Sequence, residues 1–177
     1  NIRNGHCPED CSYCAQRKTA DLETAYTSKT EDEILAEARR AYESGAHRYC
    51  LVTAGTGPSR QSAARLAETI RSIKAAFPIK LCLSAGIVTD PEIARMFAAA
   101  GLDRYNHNLN TSEAFYGSIC TTHTFADRRN TLAAMHDAGI SLCSGVIAGM
   151  GESPRDLVDA AFVLSENGVP SIPVNFF

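Results

Sequence analysis

The 177-residue sequence has no tryptophan, only 7% aromatic residues, and no apolar stretch near the ~18 residues a membrane helix needs. The uninterrupted Gly-X-Y repeat of collagen and the heptads of a coiled coil are also absent, and 45% apolar with 21% charged residues is ordinary globular composition. The net charge of −3 comes from scattered residues of both signs, a poor footprint for nucleic acid or an anionic membrane surface. No charged-then-apolar leader opens the sequence, so a cytoplasmic location is expected. The first residue is Asn1 rather than Met, and Phe177 ends the chain inside an apolar run. An internal piece of a longer chain is therefore expected, forming one domain over residues 1–177.

Cysteine is what the sequence has in excess: Cys7, Cys11, Cys14, Cys50, Cys82, Cys120 and Cys143. An odd number in a chain of this size argues against a disulfide framework. Three crowd near the start, which points to metal binding or thiol chemistry. Cys120 reads as a plain buried or half-buried thiol.

Helical and strand-like stretches alternate along the chain. Thr30–Ser44 reads as a helix with an acidic first turn, followed by a strand at His47–Ala54. Arg60–Ala76 and Ile79–Ala85 repeat the pair. A third helix opens at Thr89-Asp90-Pro91-Glu92 and stops at Gly101, before a strand at Arg104–Leu109. A fourth spans Phe125–Ala138 and leads to a strand at Ser141–Ala148. The fifth opens at Ser153-Pro154, runs to Asn167-Gly168 and precedes Ile172–Phe177. Gly45, Gly101, Gly139 and Gly168 each stand where a helix stops and a strand follows. Such alternation predicts a parallel α/β sheet, open or closed into a barrel. A complete TIM-type (β/α) barrel needs roughly 250 residues, so about three-quarters of one fits here.

In either architecture chemistry belongs at the carboxyl ends of the strands. The first such feature is Cys7-Pro8-Glu9-Asp10-Cys11-Ser12-Tyr13-Cys14. Three thiolates on one short loop can wrap three corners of a cubane iron–sulfur cluster, leaving one iron for a substrate. Zinc is the plainer metal, but a structural zinc wants four ligands, and His6 beside Cys7 is badly placed to complete them. Cys50, Cys82 and Cys143 lie early in three different strands, where barrel closure would point them inward. On periodicity alone they read as small hydrophobes filling a core.

Cys-x3-Cys-x-aromatic-Cys, with Tyr13 at the aromatic position, is the signature of the radical S-adenosylmethionine (SAM) enzymes. The segments CPEDCSYCAQ, YNHNLNTS, ICTTHTFADR, LCSGVIAGMGES and SIPVNFF, in that order, resemble the biotin synthase family from end to end of the chain. The resemblance implies a barrel lacking its first strand and its last two strand–helix units. It implies a sulfur-inserting transferase of biotin biosynthesis that acts on dethiobiotin. The implied cofactors are a [4Fe–4S] cluster on Cys7, Cys11 and Cys14, with SAM on its open iron, and a [2Fe–2S] cluster on Cys50, Cys82 and Cys143. The family's fourth ligand to that second cluster is an arginine beyond residue 177. An electron donor such as flavodoxin or ferredoxin and a homodimer are implied partners, with no nucleic acid and no membrane. No side-chain acid or base is implied as catalytic, since the radical comes from SAM.

The same resemblance assigns Tyr13, Asn108, Asn110, Arg128 and Ile147 to SAM, and Asn106 and Asn175 to the substrate's ureido group. Alternation puts Asn106, Asn108 and Asn110 on one face and His107 on the other, although Asn at a strand exit also serves simple turns. The family often has Asp where Asn110 stands, and an amide lacks that charge-assisted strength. Gly145-Val146-Ile147-Ala148-Gly149-Met150-Gly151-Glu152 fits the superfamily's G-x-I-x-G-x-x-E pattern, with Ile147 against adenine. Taken alone, Arg128 reads as a solvated helix charge. Val52-Thr53-Ala54-Gly55-Thr56 stands where many superfamily members carry Gly-Gly-Glu, as the biotin synthases also do not. The rivals are another radical SAM enzyme of similar core, of the methylornithine synthase or hydrogenase-maturation type, and a zinc-binding scaffold without catalysis.

Overall fold

The computed structural model describes residues 1–20, 26 and 28–177. Helices α1 (Glu31–Glu43), α2 (Arg60–Ala76), α3 (Pro91–Ala99), α5 (Phe125–Asp137) and α6 (Pro154–Glu166) fall where the periodicity predicts, and α4 (Glu113–Tyr116) is additional. Each start is chemically specified. Thr30, Thr124 and Ser153 form capping boxes with Glu33, Asp127 and Asp156, while Asp90 caps α3 ahead of Pro91. Ser112 caps α4, which a reading for long periodic runs passes over.

Strands β1 (Arg48–Val52), β2 (Lys80–Ser84), β3 (Arg104–Asn106) and β4 (Ser141–Cys143) form a parallel sheet in that order. A second parallel pair joins β5 (Val146–Ala148) to β6 (Val174–Phe176). Arg3 pairs with Thr53 beside β1, and Asn110 bridges to Val146, so the two sheets continue one wall of an incomplete barrel. The expected strand over Ser141–Ala148 is thus split, and the expected strand over Arg104–Leu109 ends early. Both interruptions have one cause. Ser144 Oγ accepts the Leu109 N–H (3.1 Å) and Asn108 Oδ1 accepts the Gly145 N–H (3.1 Å), so side chains replace backbone ladder partners. Gly145 is required there, since a Cβ would lie 1.8 Å from the Pro173 carbonyl oxygen.

The helices cover one face of this wall. Leu51, Leu81, Leu83, Tyr105 and Leu142 are buried against them with Ile70, Ile73, Phe97 and Leu132. Burying each large side chain contributes about 1.5–3 kcal/mol, the driving force for wrapping helices onto the sheet. Asp103 ties the amino-terminal end together by accepting from Leu81 N (2.8 Å), Lys74 Nζ (2.9 Å) and Lys80 Nζ (2.9 Å). At the other end of the chain β6 is exposed along its length, and Phe162 on α6 and Phe177 after β6 are exposed as well.

Candidate active site

The cysteine loop covers the carboxyl ends of the strands, as expected for chemistry on a parallel sheet. Beneath it lies a cavity of about 230 Å³ whose wall includes Cys7, Cys11, Cys14, Asn106 and Arg128. A larger cavity of about 430 Å³, between the amino-terminal segment, α1 and α2, contains none of the seven thiols. Cys7 and Cys11 are buried and Cys14 half-buried; the Cys14 sulfur accepts the Gln16 N–H at 3.4 Å. Three thiols lining one hollow fit a cubane cluster held on three corners.

Arg128 is 8% exposed, so the expectation of a solvated charge from its local sequence is overturned. Helix α5 aims it inward. Nη1 donates to the Asn108 carbonyl (2.9 Å), Nη2 to Tyr13 Oη (3.0 Å) and His123 Nε2 (3.0 Å), and Nε to the phenol of Tyr116. No carboxylate among the described residues pairs with it. A buried guanidinium without an anion is costly, so this cavity is built to receive a negative group.

Tyr13 joins the loop to this charge. Its phenol oxygen accepts from Arg128 and from Asn110 Nδ2 (2.7 Å), and the Cys11 sulfur is close enough for the two groups to influence each other's proton affinity. Burial raises the Tyr13 phenol above its ordinary value, so it stays neutral. Asn110 is 2% exposed and left-handed (φ 72°), a conformation that asparagine tolerates better than most residues. Asn106 lines the same cavity, and its Oδ1 is a buried acceptor with no partner among the described residues. His107 also lines the wall, contrary to strict alternation, because β3 has ended at Asn106. Burial holds His107 well below its usual value, so its imidazole is neutral.

The sequence reading missed the clamp that holds the loop. Glu9 is buried and accepts from the hydroxyls of Thr56 and Thr122, with His123 Nδ1 at 2.7 Å. Burial opposes its charge, but hydrogen bonds from Thr122, Thr56 and His123 prevail and hold its carboxyl below the usual range. Asp10 accepts from Thr121 N (3.0 Å) and Thr122 N (3.3 Å). Thr56 thus has a role in the segment that lacks Gly-Gly-Glu. The sequence signal for the clamp is limited to the two acids, Glu9 and Asp10, that stand between Cys7 and Cys11.

On the inner face of the wall, Cys50 and Cys82 are register partners across β1 and β2, and Cys143 pairs with Asn106. Cys82 is buried, Cys143 half-buried and Cys50 exposed. Cys50 is pushed down to about 6: a hydrogen bond from Cys82 favours its thiolate, burial opposes it, and Arg48 and Arg104 add positive charge. Cys82 moves upward as the proton-holding partner, and burial adds to that shift. Arg48 Nη1 and Arg104 Nε are buried without partners among the described residues, a positive surround suited to thiolates and an anionic group. Ile147 and Asn175 face each other in register across β5 and β6, and neither lines the cavity described above. Beside them Glu152 accepts from Gly149 N (2.6 Å) and Met150 N (2.7 Å), closing the glycine-punctuated turn.

Among the described residues, no helix is long and apolar enough to cross a membrane. The chain is 54% identical over 178 residues to a biotin synthase of Leptospira biflexa, covering 100% of this chain and 50% of that protein. It is 51% identical to a biotin synthase of Magnetococcus marinus, covering 100% of this chain and 55% of the relative. The chain therefore spans about half the length of the curated relatives it matches. Among solved structures, methylornithine synthase superposes with a TM-score of 0.86 at 18% identity, over 97% of this chain and 50% of that one. The FeFe-hydrogenase maturase of Carboxydothermus hydrogenoformans gives 0.82 at 20% identity, over 99% and 43%. These two share the fold, an incomplete barrel wall in this chain, as expected from the alternating pattern. Residues 2–164 match the Radical SAM superfamily, and on that match the chain belongs to the radical SAM superfamily.

Proposed function

We propose that this chain is the catalytic-barrel half of a cytoplasmic biotin synthase, which inserts sulfur into dethiobiotin by radical SAM chemistry. One observation carries the reading: Arg128, buried without a carboxylate partner among the described residues, lines the same cavity as Cys7, Cys11 and Cys14. These three cysteines would hold a [4Fe–4S] cluster, which with SAM bound supplies one-electron reductive cleavage to methionine and a 5′-deoxyadenosyl radical. Radical chemistry suits the substrate, whose unactivated C–H bonds no side-chain base can deprotonate.

The remaining residues bind and orient. Arg128 neutralises the SAM carboxylate, and Tyr13 links that guanidinium to the Cys11 sulfur. Asn108 and Asn110 serve the ribose, and Ile147 lies against adenine. The unpartnered Asn106 Oδ1 suits a ureido N–H, and Asn175 offers a second amide. Cys50, Cys82 and Cys143 would hold a [2Fe–2S] cluster, the sulfur source, with Arg48 and Arg104 offsetting its charge. The electron donor is of the flavodoxin or ferredoxin class, and the enzyme is a homodimer.

The test uses the full-length enzyme, reconstituted anaerobically with iron and sulfide and supplied with SAM and a reductant. Cys14→Ala is expected to abolish 5′-deoxyadenosine formation, and undiminished formation in that variant would overturn the proposal.

A further inference from the structure

Cys11 faces a second set of ligands. Its sulfur lies 3.7 Å from the Cys120 sulfur, and the Cys120 sulfur lies 3.4 Å and 3.7 Å from Nδ1 and Nε2 of His123. All three ligand atoms fall within 4.8 Å of one another. Tetrahedral zinc has bonds of about 2.3 Å to sulfur and about 2.0–2.1 Å to imidazole. Such bonds set two sulfurs about 3.8 Å apart, and sulfur and nitrogen about 3.6 Å apart. The Cys11–Cys120 and Cys120–His123 separations therefore already match those of a bound ion, and the third pair lies within 4.8 Å.

We propose that the cluster-free protein binds one soft divalent cation, zinc(II) or iron(II), at Cys11, Cys120 and His123, and that this ion and a cluster on Cys11 exclude one another. The surroundings favour it. Glu9 Oε2, 2.7 Å from His123 Nδ1, accepts that N–H and leaves the Nε2 lone pair for the metal, the carboxylate–histidine arrangement typical of metal sites. Binding releases two thiol protons, so two thiolates and a neutral imidazole cancel the ion's charge, and the buried site stays neutral. Arg128 Nη2, now 3.0 Å from Nε2, gives up that contact and keeps Tyr13 and Asn108. Asp10, which accepts from the Cys120 thiol at 3.3 Å, keeps its bonds from Thr121 and Thr122 when that proton leaves. A fourth position remains for water. The set is soft and nitrogen–sulfur in character, which selects zinc or iron(II) over magnesium or calcium.

Cobalt(II) is the probe, titrated anaerobically into the metal-free full-length protein. The parent is expected to take up one more tight equivalent, with sulfur-to-cobalt charge-transfer absorption, than Cys120→Ser and His123→Asn, which bind it more than about 100-fold more weakly. Cys7→Ala, which removes a cluster ligand only, should retain that equivalent, and Cys120→Ser should still load the cluster and absorb near ~400 nm. Equal cobalt binding by parent and Cys120→Ser would overturn the proposal, as would its loss in Cys7→Ala. A measurement on the parent alone stands if the variants misfold: zinc(II) should protect Cys120 from alkylation at least about tenfold, and unchanged alkylation refutes the site. Neither arm reads SAM cleavage, so failure here is separate from failure of the proposed function.

Discussion

Replacing Arg128 by Met removes, among the described residues, the one charge on the cavity wall that is buried and unpaired, while keeping most of the side chain's volume. Two effects oppose each other in the free protein. The Asn108 carbonyl and the Tyr13 and Tyr116 phenols lose a charged donor, each worth about 1.5–3 kcal/mol, but an uncompensated buried cation also disappears. Fold stability should therefore change by less than the sum of the lost bonds. Ligand binding has no such offset. A carboxylate facing this guanidinium loses a charge-assisted bond worth about 2–3 kcal/mol, a weakening of about 30- to 150-fold. The assay is equilibrium binding to the reconstituted full-length enzyme of SAM and of decarboxylated SAM, by parent and Arg128→Met. Loss of the carboxylate also affects contacts with the cluster, but that contribution is common to both proteins and cancels in the cycle. The parent should discriminate between the two ligands about 30- to 150-fold more strongly than the variant does. Equal discrimination by both proteins would show that the guanidinium does not meet the carboxylate.

Asn106→Ala should weaken dethiobiotin binding about 5- to 150-fold, the cost of leaving a ureido donor unpaired, while SAM affinity stays within a factor of two or so. Isothermal titration of both ligands checks this, and unchanged dethiobiotin affinity contradicts it. Asp103 gives a pH prediction. Burial raises its pKa, but bonds from Leu81 N, Lys74 and Lys80 prevail and hold it at about 2, below the ordinary 3.8. A depressed carboxyl stabilises fully above its unfolded value and loses that contribution as pH falls from about 4 toward about 2. Asp103→Asn should thus be less stable than the parent by about 2 kcal/mol at pH 7, a gap that closes by about pH 2. Urea unfolding at several pH values measures it, and a gap independent of pH contradicts the assignment.

Helix positions were legible because capping residues and stop glycines are local signals, and α2 matches its expected range of Arg60–Ala76 to the residue. Strand ends were less legible, since Asn108 and Ser144 interrupt their ladders through partners more than thirty residues away. The cysteine loop was evident from spacing alone. Its clamp was not: Glu9 meets Thr56, Thr122 and His123 only after the chain has crossed the barrel wall. Cys120 reads in sequence as a buried or half-buried thiol and is buried, at 4% exposure, but its approach to Cys11 has no signature in sequence. The burial of Arg128 was likewise hidden, because helix α5 shows which face is inward only once Tyr116 and Asn108 stand opposite it.

The proposed enzyme carries two thiol sites with different iron–sulfur clusters on one barrel. Mössbauer spectroscopy of the full-length enzyme reconstituted with ⁵⁷Fe tests it most directly, comparing the parent with the Cys50→Ala/Cys82→Ala/Cys143→Ala variant. The parent should show both [4Fe–4S] and [2Fe–2S] signals, and the triple variant only the first. Identical spectra with a single cluster type in both would return these three cysteines to core packing and contradict the account.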